Sequence, residues 1–341
     1  MSRLRATALV GGQYGSEGKG AIAAHIAHKF NVHVRTGGPN AGHTIHHQGR
    51  IWKMQSVPCG WINPDALLIV GPGAIVDVGQ LTGEVEELEE AGFQIRDRLF
   101  VDRNAIIIDE DFHREEGGVK GDMHELIGST GEGCGVARMA RIARGTSSWS
   151  LLNKAYLAAD VDFKELDIQT ADTVELLKGD VLLEGTQGSG LSLVHGRWPY
   201  VTSADTNAAQ LAADAGIPPS QVKDTILVFR TFPIRVAGNS GYLHDEMTWE
   251  QVGQPEEHTT VTKKVRRVGG WDTELARRSM LLNDPSMVVL TFFDYLHPEA
   301  AGMKTRIDLS DGALRTIKDY ELELDHYLWA VGTGPDSLVT L

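Results

Sequence analysis

Short, β-rich apolar runs recur along this chain at residues 6–10, 32–34, 67–70, 181–183, 226–229 and 287–290, interrupted only by Thr7 and His33. Each is too short for a helix and, those two residues aside, apolar at consecutive positions, the pattern of strands buried on both faces. Between them lie stretches with helical spacing, at residues 21–30, 79–91 and 272–283. The alternation predicts an α/β fold: a mostly parallel central sheet with helices on both faces. In the second of these helices Glu84, Glu86, Glu87, Glu89 and Glu90 read as the wet face. No internal repeat, low-complexity linker or compositional break marks a second unit, so residues 1–341 read as a single domain with insertions.

Composition narrows the partners. A net charge of -14 argues against a surface that coats nucleic acid, so any polyanion must be small and locally gripped. Only Cys59 and Cys134 are present, too few for a disulfide framework, which fits a reducing, cytoplasmic setting. The N-terminal stretch turns into Gly11-Gly12 too soon for a signal peptide, and no apolar run approaches membrane-spanning length. No membrane partner is expected.

Four glycine-rich segments carry the candidate chemistry. The first follows the first strand: Gly11-Gly12-Gln13-Tyr14-Gly15-Ser16-Glu17-Gly18-Lys19-Gly20, then a helix. Strand, glycine-rich turn, lysine and helix start are the parts of a phosphate cradle, in which backbone N–H groups and the helix dipole face an anion. The spacing is not that of a standard P-loop: Gln13 stands where a glycine is expected, and Gly20 replaces the Ser/Thr that would hold magnesium. The plainer alternative is a strand-to-helix turn with a solvated Lys19. The second segment, Gly37-Gly38-Pro39-Asn40-Ala41-Gly42-His43-Thr44, follows the second strand, so both loops face the crevice at the carboxyl ends of the strands. His43, flanked by small residues, suits a developing oxyanion, whereas His46 and His47 read as surface residues. The third, Ser129-Thr130-Gly131-Glu132-Gly133, precedes Arg138, Arg141 and Arg144, either a second phosphate site or a solvated helix face. The fourth, Glu184-Gly185-Thr186-Gln187-Gly188, leads to Tyr200-Val201-Thr202-Ser203; Gln187 can donate and accept at once, matching a base edge with C=O beside N–H, or it is a structural amide in a turn.

In this order, and together with Thr260-Val261-Thr262, Arg266-Arg267-Val268-Gly269 and Val331-Gly332-Thr333-Gly334-Pro335-Asp336, these segments resemble the adenylosuccinate synthetase family over nearly the whole chain. The resemblance implies that family's P-loop-NTPase-like fold and a ligase reaction. A purine nucleotide's six-oxygen attacks the γ-phosphate of a nucleoside triphosphate, and the amine of L-aspartate then displaces the phosphate. It places Gly15, Glu17, Gly18, Lys19, Gly20, Gly42, His43 and Thr44 around the donor phosphates, and Phe292, Asp294, Val331, Gly332 and Gly334 around the donor base. It places Ser16, Asn40, Ala41, Thr130, Gly131, Gln187, Thr202 and Val236 on the acceptor nucleotide, with Arg144 reaching the acceptor phosphate from the other subunit of a homodimer. Thr260, Val261, Thr262, Lys264 and Arg266 fall at the aspartate positions, and Ser16 and the Gly42 carbonyl at the Mg²⁺ positions. Ser16, Lys19, His43 and Gln187 would be catalytic.

Three departures sharpen the substrate. The family's catalytic aspartate is here Ser16, far too weak a base to take the N1 proton of inosine monophosphate. A smaller side chain leaves room for the 2-amino group of guanine, which its oxygen can accept from. Serine here resembles the phage branch of the family, the 2-aminoadenylosuccinate synthetases, which act on dGMP and supply 2-aminoadenine for DNA; a phage-encoded chain would work in the host cytoplasm. Lys264 stands where the family has an arginine near the ribose 2′-hydroxyl, tolerable if none needs reading. Phe292 replaces the lysine over the donor guanine in Thr291-Phe292-Phe293-Asp294, so ATP or dATP, as well as GTP, are expected donors. The alternatives are an ordinary inosine monophosphate enzyme with an atypical base, and a catalytically silent nucleotide-binding sensor.

Overall fold

The first predicted strand, Arg5–Gly11 (β1), lies inside a ten-stranded sheet of the computed structural model, which describes residues 3–117, 122–144, 156–259 and 263–341. The sheet continues with Val32–Arg35 (β2), Leu67–Val70 (β3), Leu99–Asp102 (β4), Gln169–Ala171 (β5) and Asp180–Glu184 (β6). Val222–Arg230 (β7), Met287–Thr291 (β8), Leu328–Gly334 (β9) and Ser337–Thr340 (β10) complete it. Their order is β5-β4-β3-β2-β6-β1-β7-β8-β9-β10. Every ladder is parallel except β9 with β10. All six apolar runs read from the sequence are strands of this sheet.

Alternation along the strands divides the core in two. Leu9, Leu182, Ile226 and Val228 face one layer, where Lys19–Ile26 (α1) and Val78–Glu90 (α2) pack. Ala8, Val10, Leu183, Leu227 and Phe229 face the other, where later helices pack: Ala208–Asp214, Thr273–Asn283 and Asp311–Leu324. Helices on both faces explain why the strands are apolar at consecutive positions. The helix at residues 272–283 begins one residue later than the spacing suggests, because Asp272 is its cap, accepting from the Leu275 N–H at 3.0 Å.

One expectation fails in α2. Glu84 is not on a wet face but buried, with its carboxylate accepting from the backbone N–H groups of Gln55, Ser56 and Val57. Burial pushes its pKa up to about 7 against those three hydrogen bonds. A helical charge run predicts solvent only when nothing nearby offers unpaired donors, and the loop after the hairpin at residues 43–54 offers three.

The parallel order sets the site. The loops leaving β1, β2, β6, β7, β8 and β9 all emerge at one edge of the sheet, where β6 and β7 flank β1 on opposite sides. Four of the recognised segments ride on these loops. No helix among the described residues is long and apolar enough to cross a membrane.

Candidate active site

The chain turns between β1 and α1 through three residues in left-handed conformation, Gly15 (φ 84), Ser16 (φ 59) and Gly18 (φ 83). The turn accounts for its own departures from a P-loop. The Gln13 side chain pairs with the main chain of Arg230, accepting from its N–H at 2.9 Å and donating to its carbonyl at 3.0 Å, which pins the loop to β7. Glu17 turns its carboxylate inward, accepting from the N–H groups of Gln13 (3.1 Å) and Gly15 (2.8 Å) and from Lys19 Nζ (2.6 Å). A side-chain anion thus occupies the nest that a P-loop offers to phosphate. Lys19 and the α1 N-terminus, capped by Gly18 without a side-chain bond, remain to face a ligand. A Cβ on Gly20 would come 2.8 Å from the Cβ of His43, so no Ser or Thr fits there.

His43 opens the hairpin of strands His43–His47 and Arg50–Met54 and is 8% exposed. Its Nδ1 donates to Glu184 Oε1 at 2.6 Å. Arg35 donates to the same oxygen at 2.5 Å and to the Ala41 carbonyl at 2.5 Å, while the Cys59 N–H binds Glu184 Oε2 at 2.7 Å. With Nδ1 committed to the carboxylate, Nε2 is left for a ligand. Burial and then the Arg35 charge lower the pKa of His43 to about 4, despite Glu184. Burial would raise Glu184, but Arg35 and the His43 hydrogen bond hold it well below the usual carboxylate range. His43, Cys59 and Glu184 lie close enough to share a cation among the described residues. The Arg35 guanidinium already fills that role, so the cluster is a charge network and not a metal site.

Two cavities meet across the consecutive pairs Gly18-Lys19 and His43-Thr44. The first, about 200 Å³, is lined by Gly15, Ser16, Lys19, Asn40, Ala41, Gly42, His43, Thr130, Gln187, Thr202, Val236 and Arg266. It thus gathers the expected catalytic residues, most of the acceptor set and Arg266. Ser16 Oγ accepts from Arg266 Nη1 at 2.7 Å, and the carbonyl of Gln187 accepts from Lys19 at 2.6 Å. The second cavity, about 570 Å³, is lined by Gly18, Thr44, Phe292, Asp294, Gly332 and Gly334 of the expected donor set.

Other expected residues lie apart. Glu17 and Gly20 are buried behind the loop, and Val331 is a fully buried strand residue whose neighbours do the lining. Gly131, Lys264 and Arg144 line neither cavity. Arg138 and Arg141 donate to the carbonyls of Gly73 and Asn104, and neither lines the cavity that holds Thr130. Thr260, Val261 and Thr262 lie outside the described residues. The residues missed in the sequence are Arg35, Glu184, Tyr14 and Arg235. The last two line the first cavity with the Arg235 guanidinium 4.3 Å from the Tyr14 ring. Glu184 opened a recognised segment, and its role becomes visible only through β2 and the hairpin that pair around it.

The adenylosuccinate synthetase family model matches residues 8–176 and 163–301. The adenylosuccinate synthetase of Methanococcus aeolicus is 38% identical over 338 residues, 97% of each chain. That of Thermococcus onnurineus is 37% identical, covering 96% of this chain and 95% of its own. Among solved structures, the cyanophage S-2L succinoaminodeoxyadenylate synthetase, bound to dGMP and dATP as an energy donor, superposes with a TM-score of 0.83. It is 28% identical over 99% of this chain and 95% of that one. The fully ligated Plasmodium falciparum adenylosuccinate synthetase superposes at 0.81, with 20% identity, 98% of this chain and 99% of that one, and shares the fold.

Proposed function

Because this chain belongs to the adenylosuccinate synthetase family and is a C–N bond-forming ligase, we propose that it joins L-aspartate to the six-position of dGMP. In this reading the six-oxygen of dGMP attacks the γ-phosphate of ATP or dATP, releasing the diphosphate. The aspartate amine then adds at C6 and expels inorganic phosphate, leaving a succinylated 2-amino-2′-deoxyadenylate. Lys19, held by Glu17 and the Gln187 carbonyl, faces the transferring phosphate. His43, kept neutral by burial and Arg35, gains a proton's charge most easily beside that phosphate, so it stabilises charge as it moves. Arg266 grips an aspartate carboxylate, and Gln187 and Thr202 hold the acceptor. Arg144, outside its own chain's cavity, is assigned to the partner's acceptor phosphate in a homodimer.

One observation carries the choice of dGMP: a serine stands at the family's catalytic carboxylate position, at the cavity wall. Its oxygen has two lone pairs; Arg266 uses one, and the other can accept from a 2-amino N–H. The S-2L protein, which binds dGMP, supports the same choice. The Mg²⁺ that this family uses neutralises the triphosphate when bound. Of the two candidate ligands the Ser16 oxygen faces a guanidinium and does not fit, which leaves the carbonyl of Gly42, a residue lining the cavity, as the candidate.

The archaeal relatives, both adenylosuccinate synthetases, favour a second reading with inosine monophosphate as acceptor. Phosphate release with aspartate, Mg²⁺, ATP and either acceptor separates the two. Turnover on dGMP is expected, and Ser16→Asp should lower dGMP kcat/KM by roughly 10–100-fold, the range for a misfitted polar contact. Turnover on inosine monophosphate alone would overturn the proposal.

A further inference from the structure

The buried arginine at the end of β7 belongs to neither cavity, yet it touches the elements that build both. Arg230 is fully buried. Its Nη2 donates to Glu257 Oε1 at 2.6 Å, and its Nη1 lies 3.3 Å from both Glu257 Oε2 and the Ser16 carbonyl. Its Cζ stands 3.9 Å from the centre of the Phe292 ring, on the donor wall. Glu257 also accepts from Tyr295 at 3.3 Å and lines the donor cavity. Its own carbonyl accepts from the Arg266 N–H at 2.8 Å, beside the antiparallel bridge between His258 and Val265. Arg266 returns to Ser16 Oγ.

The contacts form a closed circuit. Ser16, in a left-handed conformation that costs an L-residue about 1 kcal/mol, is held from its carbonyl by Arg230 and from its hydroxyl by Arg266. The main chain of Arg266 is in turn set by Glu257, which is set by Arg230. A donor base pressing on Phe292 and Glu257 therefore meets the groups that fix Ser16 and Arg266.

We propose that Arg230 and Glu257 are a positioning pair, through which the filled donor pocket sets Ser16 and Arg266 for aspartate. Neither touches a reacting atom. The pairing predicts linkage: donor binding tightens aspartate binding, and the reverse by the same factor. This inference rests on the site being that of a family ligase and not on which acceptor it uses.

Glu257→Gln keeps the shape but leaves the buried Arg230 charge without its anion, so a thermal melt checks that this variant folds, and Arg230→Lys keeps the charge but loses the fork. Either change should raise the aspartate KM about tenfold, with a smaller change in donor affinity measured by equilibrium dialysis of ATP alone. The double variant should be no worse than the poorer single, because both break one circuit. The assay uses whichever of dGMP and inosine monophosphate is turned over. If neither is, labelled aspartate is titrated in the presence of ATP and dGMP, so failure of the acceptor reading is seen separately. An unchanged aspartate constant in either single variant, or additive losses in the double, would overturn the pairing.

Discussion

The two cavities share a wall and are built on opposite chemistry. The smaller one is backed by buried charge pairs, Arg35 on Glu184 and Lys19 on Glu17, and by the neutral His43 hydrogen-bonded to Glu184, each fixed at 2.5–2.6 Å. The larger is walled by Ile22, Ile45, Ile62, Leu338 and the Phe292 ring, with Asp294 among its few charged groups. Where charge has to move during a reaction, oriented charges already paid for in folding lower the barrier. Where a base needs only to be seated, apolar walls and a few polar groups suffice. The comparison teaches which variants should change rate and which only binding.

The strongest way to break the contrast is His43→Asn. It leaves Glu184 bound to Arg35 and the Cys59 N–H, so no buried charge is stranded. The expected outcome is a fall in kcat of about 10³, the scale for losing one charge-stabilising group, with donor KM changed little. Steady-state phosphate release reads both. A rise in donor KM with kcat intact would move His43 to the binding side. Lys19→Met is a poorer test, because it leaves Glu17 charged at 0% exposure.

Much of this is legible in the sequence. Six strands announced themselves because a parallel sheet covered on both faces needs consecutive apolar residues. The glycine-rich segments pointed to one crevice because parallel strands deliver their loops to one edge. What the sequence hid was the far partner. Glu84 looked like a wet helical position, since the loop at residues 55–57 that satisfies it is remote in sequence. Gln13 looked like a defect in a phosphate loop, because nothing in the segment shows that β7 offers it a main-chain pair. The carbonyls of Gly73 and Asn104 that Arg138 and Arg141 donate to are likewise remote in sequence.

A second prediction probes the buried charges through pH. In the unfolded chain a histidine titrates near 6.5, whereas folded His43 is lowered to about 4 by burial and Arg35. Between those values the unfolded state binds the extra proton, so stability is whole above about pH 6.5 and is lost as the pH falls toward 4. At pH 5 the share of His43 is about 2 kcal/mol. His33, also lowered to about 4, contributes in the same direction. Thermal melts at pH 7 and 5 should therefore show His43→Asn losing less than the parent chain. Equal losses would show that His43 is not held neutral. Triphosphate should protect the parent more at pH 5 than at pH 7, since its negative charge favours the protonated imidazole.

The smallest effect tests the donor side. Phe292 sits just past β8 in a left-handed conformation, φ 55, with Arg230 beside its ring and Tyr295 at 5.1 Å edge-on. Stacking on an aromatic ring is tolerant of base identity and is worth roughly 1–3 kcal/mol. Phe292→Ala should therefore raise the donor KM about tenfold for ATP and GTP alike and leave kcat near its parent value. Asp294→Asn, in contrast, should change the ratio between the two donors, because an acceptor-only carboxylate becomes an amide that also donates. A loss confined to one base in Phe292→Ala would mean that the ring reads identity, and that the apolar cavity is more selective than its walls imply.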